Sequence, residues 1–374
     1  MNFRRGHDLP KTDMKKGSIP VVGSNGVIGY HDISTTPAPC LTIGRSGNVG
    51  NPLLLDQDCW AHNTTLYVDD FKDNDPIFLF YLLKTLNLAN MSGGSAVPTL
   101  NRNHIHPLLI YTTKKYKVQR AIAATLSCLD DKIELNNKIN ANLEAQAQAI
   151  FKSWFVDFEP FQDGEFADSE LGMIPKGWRV GKLGEIIRII DNRGKTPPLA
   201  NGPTEFPIID VKALAGNNRI VDYNNCTKFV DEITYSNWFR SGHPNPYDIL
   251  LSTVGSLAEI KLFLGAVGCV AQNVVAFRSI PNISLYLYEY LRYIKKDLIS
   301  YDIGSVQPSI KVTHIIKHPI LLPPDDIMRS FDDVSHSITS QIYNNCLQSR
   351  TLAALRDALL PKLMSGEIEV PLAE

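Results

Sequence analysis

Leu126-Ser127-Cys128-Leu129-Asp130-Asp131-Lys132-Ile133-Glu134-Leu135-Asn136-Asn137-Lys138-Ile139-Asn140 lies inside the seam that decides the fold. Ile122, Leu126, Leu129, Ile133, Asn136, Asn140, Leu143, Ala147, Ile150 and Trp154 follow one another in alternating steps of four and three. That is the heptad spacing of a helix packed along one stripe. Towards the other end of the chain Phe331, Ser335, Ile338, Ile342, Asn345, Ser349, Leu352, Arg356, Leu359 and Leu363 keep the same steps. The two series superpose at one constant shift, with Asn136 falling on Asn345. A polar residue on an apolar seam costs stability but can fix register and partner. Two readings fit: each helix covers its own domain, or the helices pack on each other, which sustained heptads in both halves favour.

The region before each helix also repeats. Gly94-Ser95-Ala96-Val97-Pro98-Thr99-Leu100-Asn101-Arg102-Asn103-His104-Ile105 aligns without a gap on Gly304-Ser305-Val306-Gln307-Pro308-Ser309-Ile310-Lys311-Val312-Thr313-His314-Ile315, a shift of about 210 positions. At the same shift His62-Asn63-Thr64-Thr65 meets Gln272-Asn273-Val274-Val275; further upstream, Arg5-Gly6 with Pro10 resembles Arg193-Gly194 with Pro198. Several windows in the same order point to a duplication. The repeated regions read as mixed α/β with short strands, such as Leu66-Tyr67-Val68 and 271–277, punctuated by Gly and Pro. One helix is expected in each, near 76–88 and 285–296, and 158–176 reads as a connector.

At 374 residues the chain can hold two domains with their own cores. Its composition is that of a globular protein, with no apolar window suited to a bilayer and no export signal behind Met1-Asn2-Phe3-Arg4-Arg5. The six cysteines lie far apart, without a Cys-x-x-Cys pair. They are expected to be free thiols, and the chain cytoplasmic. A net charge of -2 argues against unaided gripping of nucleic acid. Residues 1–120, however, carry about four more basic than acidic groups and no glutamate.

Catalytic motifs are poorly supported. Gly194-Lys195-Thr196 lacks the first glycine of a phosphate-binding loop, since position 189 is Ile, and Pro197-Pro198 obstructs a helix start. Asp248, Glu259 and Lys261 imitate a nuclease metal cluster, but also fit a hairpin whose polar side chains alternate outward. The nine histidines show no metal-ligand spacing. His104 and His314 occupy equivalent places and suit a structural role at a strand edge.

What recurs is polar, basic loop chemistry. Arg presents a fork to guanine, Asn and Gln bracket adenine, and Lys neutralises phosphate. The DNA-binding candidates are Arg4, Arg5, Lys11, Lys15, Lys16, Arg45, Asn48, Asn101 and Arg102 in the first half, and Arg193, Lys195, Lys212, Arg219, Lys261 and Lys311 in the second. Each taken singly also fits a solvated surface charge.

The helix segment 126–140, closed by Phe151-Lys152-Ser153-Trp154-Phe155-Val156-Asp157-Phe158, resembles the central helix of type I restriction–modification specificity subunits. Ile174-Pro175-Lys176-Gly177-Trp178 with Lys182-Leu183-Gly184-Glu185-Ile186 is similar to the opening of that family's second recognition domain. Tyr247-Asp248-Ile249-Leu250-Leu251-Ser252 is similar to a shared strand, and Leu359-Leu360-Pro361-Lys362-Leu363-Met364-Ser365-Gly366-Glu367-Ile368 to the closing helix. The resemblance implies an α/β (α+β) fold of two similar target-recognition domains joined by two long antiparallel coiled-coil helices. It divides the chain into a first recognition domain (1–116), a central helix (117–158), a linker (159–176), a second recognition domain (177–324) and a C-terminal helix (325–374).

The same resemblance implies a non-catalytic reader of double-stranded DNA. Two methyltransferase subunits and the restriction and translocase subunits would dock on it. S-adenosylmethionine, ATP and magnesium belong to those partners, with no cofactor or metal in this chain and no membrane contact. The second domain opens with a strand some fifteen residues before Arg193, whereas the first begins almost at Arg5. That leaves the first domain short of an opening element, whose place residues 367–374 are expected to fill. Two other readings remain: a metal-dependent nuclease using Asp248, Glu259 and Lys261, and a bivalent scaffold for protein or glycan.

Overall fold

The computed structural model describes residues 1–93, 98–194, 196–304 and 306–372. The chain forms two compact units, Met1–Leu135 with Gln348–Glu374 and Asn136–Leu347. Each long helix contributes to both.

The first unit contains β1 (Asn2–Arg5), β2 (Ile19–Gly23), β3 (Gly26–His31), β4 (Cys40–Gly44), β5 (Pro52–Leu55), β6 (Trp60–Ala61) and β7 (Thr65–Asp70). These are followed by α1 (Pro76–Thr85), the single turn α2 (Arg102–Ile105) and the first part of α3 (Tyr116–Phe155). Asp75 caps α1 by accepting from the Phe78 amide at 2.9 Å, with Pro76 in the first turn, a start that the sequence encodes directly. One sheet has the order β1-β7-β4-β5 and a second β3-β2-β6, in which β2 and β6 run parallel.

The second unit begins in α3 and continues through β8 (Phe166–Ser169), β9 (Gly172–Pro175), β10 (Arg179–Lys182), α4 (Leu183–Ile186), β11 (Ile187–Ile190), β12 (Phe206–Ile209), β13 (Phe229–Val230) and α5 (Glu232–Trp238). Then come β14 (Asp248–Ser252), β15 (Ile260–Phe263), β16 (Cys269–Val270), β17 (Val274–Ser279), α6 (Ser284–Tyr293), α7 (Lys295–Ser300), α8 (Val312–Ile315), β18 (Pro319–Leu322) and α9 (Asp325–Ser365). Its sheets have the orders β11-β17-β14-β15 and β13-β12-β16, again with the parallel pair in the smaller one. The two units thus repeat one topology. The segment read as a connector holds the β8–β9 hairpin, and β10 pairs antiparallel with β18.

Strand register refines the alignment of the halves. Tyr67 faces Thr42 as Ala276 faces Leu250, and Phe3 faces Val68 as Ile189 faces Phe277. Ile190 therefore stands at the place of Arg4, two residues away from the match expected by sequence. His62 likewise corresponds to Ala271 rather than Gln272: its carbonyl accepts from the Thr65 amide as that of Ala271 accepts from Val274. Residues 94–97 and Ser305 of the longest repeated window lie outside the described residues. In the rest of that window the Leu100 amide donates to Arg45 O (2.8 Å) as the Ile310 amide donates to Thr253 O (2.9 Å), so that part aligns as expected. His104 and His314 sit in the single turns α2 and α8, not at strand edges.

The core of the first unit joins Phe3, Leu41, Ile43 and Leu66 of the sheet to Phe78 and Leu82 of α1, and both to Leu126 of α3 and Leu363 of α9. Arg356 of α9 pairs with Asp130 of α3 there. In the second unit Phe151 and Phe155 of α3 pack on Phe331 of α9 and Tyr286 of α6. Asn140 meets Asn345 at 2.8 Å. Within each unit the residue numbers of the two helices run in opposite directions along the contact, so the pair is antiparallel. All the seam residues are buried or half-buried, Ile122, Asn136, Ile342 and Asn345 among the buried ones, with Leu129, Ile133, Leu143, Ile150, Ile338, Leu352 and Leu359 half-buried. Gly366 ends α9 in the left-handed region (φ +79°), a conformation glycine adopts without strain.

One cysteine expectation is corrected. Cys40 and Cys59 form a disulfide, both buried beside Val22 with Cα atoms 6.5 Å apart. Folding brings β4 and the approach to β6 together, which their wide separation in sequence conceals. Among the described residues no helix is long and apolar enough to cross a membrane.

Candidate nucleic-acid interface

In the first unit, β1 carries Phe3 inward and Arg4 outward by strand alternation, Phe3 being buried and Arg4 exposed. The chain leaves β1 through Gly6, where an added Cβ would stand 2.1 Å from His62 O. Only a glycine lets the backbone pass so close to residues 61–62. Beyond the other end of this crossing, Arg45 follows β4 and its carbonyl holds Leu100. Asn101 then caps α2, its side-chain oxygen accepting from the Asn103 amide at 3.0 Å, and Arg102 projects from the first turn.

The result is an open cavity of about 500 Å³ lined by Arg4, Arg5, His7, Arg45, Tyr67, Asn101, Arg102 and Asn103. Arg4 leans on Asp69, Arg5 lies 3.3 Å from Asp8, and Arg45 donates to Asn63 O at 3.3 Å. Four arginines face one space with two carboxylates at its rim, an excess of positive charge suited to an anionic ligand. Five of the nine candidates of this half are thereby brought together. Asn48 is exposed farther along the β4–β5 loop that carries Arg45, and Lys11, Lys15 and Lys16 are exposed on the approach to β2; none of these four lines the cavity. The sequence reading missed His7, Tyr67 and Asn103, residue types that carry no positional signal until the strands are paired.

In the second unit an open cavity of about 600 Å³ begins at the equivalent strand end, after β11. It is lined by Asp191, Asn192, Arg193, Gly194, Asn237, Trp238, Arg240 and Ser241. Of the candidates only Arg193 is here. Lys212 and Lys311 are exposed elsewhere, and Lys195 lies outside the described residues. Asn237, Trp238 and Arg240 were missed, because α5 and the loop after it have no counterpart in the first half to draw attention to them.

Two candidates are corrected. Arg219 is fully buried and donates through Nε and Nη2 to Glu144 (both 2.9 Å), through Nη1 to Thr339 (2.7 Å) and through Nη2 to Glu289 (3.1 Å). Arg292 joins the same carboxylate of Glu144. Burial pushes the Glu144 carboxyl up, but the two arginines outweigh it and hold it below its usual range. Burial dominates at Glu289 and raises it. Lys261 is also buried, donating to the carbonyls of Gly216 (2.7 Å) and Asn218, and burial lowers its ammonium to about 8. Neither cation can reach DNA. The polar side chains of the β14–β15 hairpin therefore do not alternate outward as expected. Asp248 is taken by Arg278 and Glu259 by Lys295. Each acid of the imagined nuclease cluster is thus engaged by a separate cation.

A family model described as the type I restriction modification DNA specificity domain matches residues 2–145 and 175–348. The chain belongs to this family. Among the specificity subunits it resembles, the MjaIX subunit of Methanocaldococcus jannaschii is 30% identical, over 78% of this chain and 69% of that one. The HindI subunit of Haemophilus influenzae is 26% identical, over 87% and 85%. The solved S subunit of a type I system from M. genitalium superposes over 97% of this chain and 93% of that one with a TM-score of 0.59 at 18% identity. It shows that the duplicated fold is shared. Within the specificity family the two cavities acquire a common place: each opens where the first strand of the larger sheet ends.

Proposed function

We propose that this specificity subunit reads a split target in double-stranded DNA, one short block through the cavity of each unit, and carries out no chemistry itself. The observation that carries the reading is the repetition of a polar cavity at the same point of a duplicated fold. A duplicated reader predicts two contact surfaces, each placing side-chain donors where base edges and phosphates can meet them. The named relatives are specificity subunits of type I restriction enzymes, and family membership supports the same role here.

On this reading the antiparallel helices act as the spacer, since helical rise is fixed and the number of unread base pairs follows from helix length. Two methyltransferase subunits would dock on the chain, and restriction and translocase subunits would complete the enzyme. S-adenosylmethionine, ATP and magnesium would be held by those partners. The net charge of -2 suits a reader that shares its DNA grip with other subunits.

The test is binding of duplex DNA by the assembled methyltransferase complex, followed by fluorescence anisotropy across a salt series. Replacing Arg4, Arg45 and Arg102 together by alanine should weaken binding and reduce the salt slope by up to about one per lost phosphate contact. An unchanged slope and affinity would remove the first cavity from the interface.

A further inference from the structure

Arg193 lies three residues beyond the end of β11, and its guanidinium is already held. Nε lies 2.9 and 2.8 Å from the two carboxylate oxygens of Asp191, and Nη2 turns to the same carboxylate. A guanidinium carries five N–H donors in one plane. Asp191 occupies the edge formed by Nε and Nη2. The end formed by Nη1 and Nη2 is left with two parallel donors. Such an end is answered by guanine O6 and N7 or by two phosphate oxygens.

Charge decides between these. Arg193 and Asp191 together are neutral, and attraction to phosphate depends on net positive charge. Directional donors survive that neutralisation, which favours a base edge. The mount is also braced. Asn192 donates to Gly242 O and accepts from the Ser241 amide, both at 3.1 Å, while the Ser241 hydroxyl donates to Asp191 O at 2.6 Å. Holding a donor pair fixed before binding lowers the entropic cost of using it. Beside it Trp238 supplies an apolar wall, and Arg240 has no carboxylate partner among the described residues. We propose that Arg193, buttressed by Asp191, reads a guanine in the DNA block assigned to the second unit, and that Arg240 holds a neighbouring phosphate. This rests on the reading of the chain as a DNA-recognition subunit.

The experiment is to express the chain with its methyltransferase and map methylated adenines genome-wide, for wild type, Arg193→Gln and Asp191→Asn. Wild type should give a split motif with a guanine in one block. Arg193→Gln should lower discrimination at that single position by roughly 5- to 150-fold, leaving the other block and the salt slope intact. Asp191→Asn keeps the arginine but frees its charge. It should relax the same position and steepen the salt slope by about one contact. An unchanged motif in Arg193→Gln overturns the proposal, as does uniform weakening at all sequences with a shallower salt slope, the mark of a phosphate contact. If the glutamine variant fails to assemble, undiminished discrimination in Asp191→Asn overturns it instead. A wild-type complex without a split motif would refute the underlying reading as well, and is told apart by the wild-type arm.

Discussion

Arg219 and Lys261 show what a charged residue in a sequence does not disclose. By residue type both suit DNA contacts, yet both lie in the interior of the second unit, Arg219 donating to two carboxylates and a hydroxyl and Lys261 to two carbonyls. Charge can be counted from sequence, but depth depends on what surrounds the residue, for Lys261 the neighbouring strand where it pairs with the buried Leu250. Removing one member of a buried ion cluster strands the others, so Arg219→Ala should cost about 3–5 kcal/mol. Denaturant unfolding would measure it, and the salt slope of DNA binding should not move. Lys261 adds a pH signature. Its ammonium is lowered to about 8 from an ordinary 10.5, so between those values the folded chain binds fewer protons than the unfolded one. Stability must then rise with pH through that window. Comparing urea midpoints of wild type and Lys261→Met at pH 7.5 and pH 9.5, wild type should gain on the variant; an equal difference at both values would contradict this.

The long helices are the most legible elements, because a seam of ten heptad positions survives any uncertainty about strands. What the pattern does not supply is the partner of each polar seam residue. Asn345 donates to Asn140 at 2.8 Å and its carbonyl accepts from Asn136, a polar layer inside an apolar contact. Asn140→Ala alone should cost about 1–3 kcal/mol by leaving Asn345 buried without that acceptor. The pair Asn140→Leu with Asn345→Leu should recover most of the loss while weakening the choice of register. A double-mutant cycle by urea unfolding reads the coupling, and strict additivity would contradict a direct link. A related device joins α1 and α6 to the helices in each unit. Tyr81, sixth in α1, donates to Asp130 of α3 at 2.7 Å, and Glu289, sixth in α6, meets Arg219, which in turn reaches Glu144 of α3 and Thr339 of α9. The place is repeated while the chemistry has diverged, so matching residue types along the chain passes over it. The short strands are legible as a class only, since two-residue strands such as β6 and β16 are defined by their neighbours.

Duplication ties the two units to a common purpose, and the amino-acid order alone reveals it because several windows recur in one sequence. Its exact register is hidden there. The second unit is longer between β12 and β14, so the shift between the halves is not constant and neighbouring residues can be matched in sequence without being matched in space. Only strand pairing assigns Ile190 to the place of Arg4. The first cavity is readable in outline, as five of its arginines and asparagines are candidates on residue type alone. The second is nearly invisible, since its walls come from α5 and the loop that follows. A chain built this way should confer a target of two separate blocks on the methyltransferase that carries it. The decisive measurement is therefore the map of methylated adenines when the chain is expressed with that methyltransferase. Two short specified blocks around a gap of constant length are predicted. A single undivided motif, or methylation without sequence preference from an assembled complex, would contradict a duplicated DNA reader.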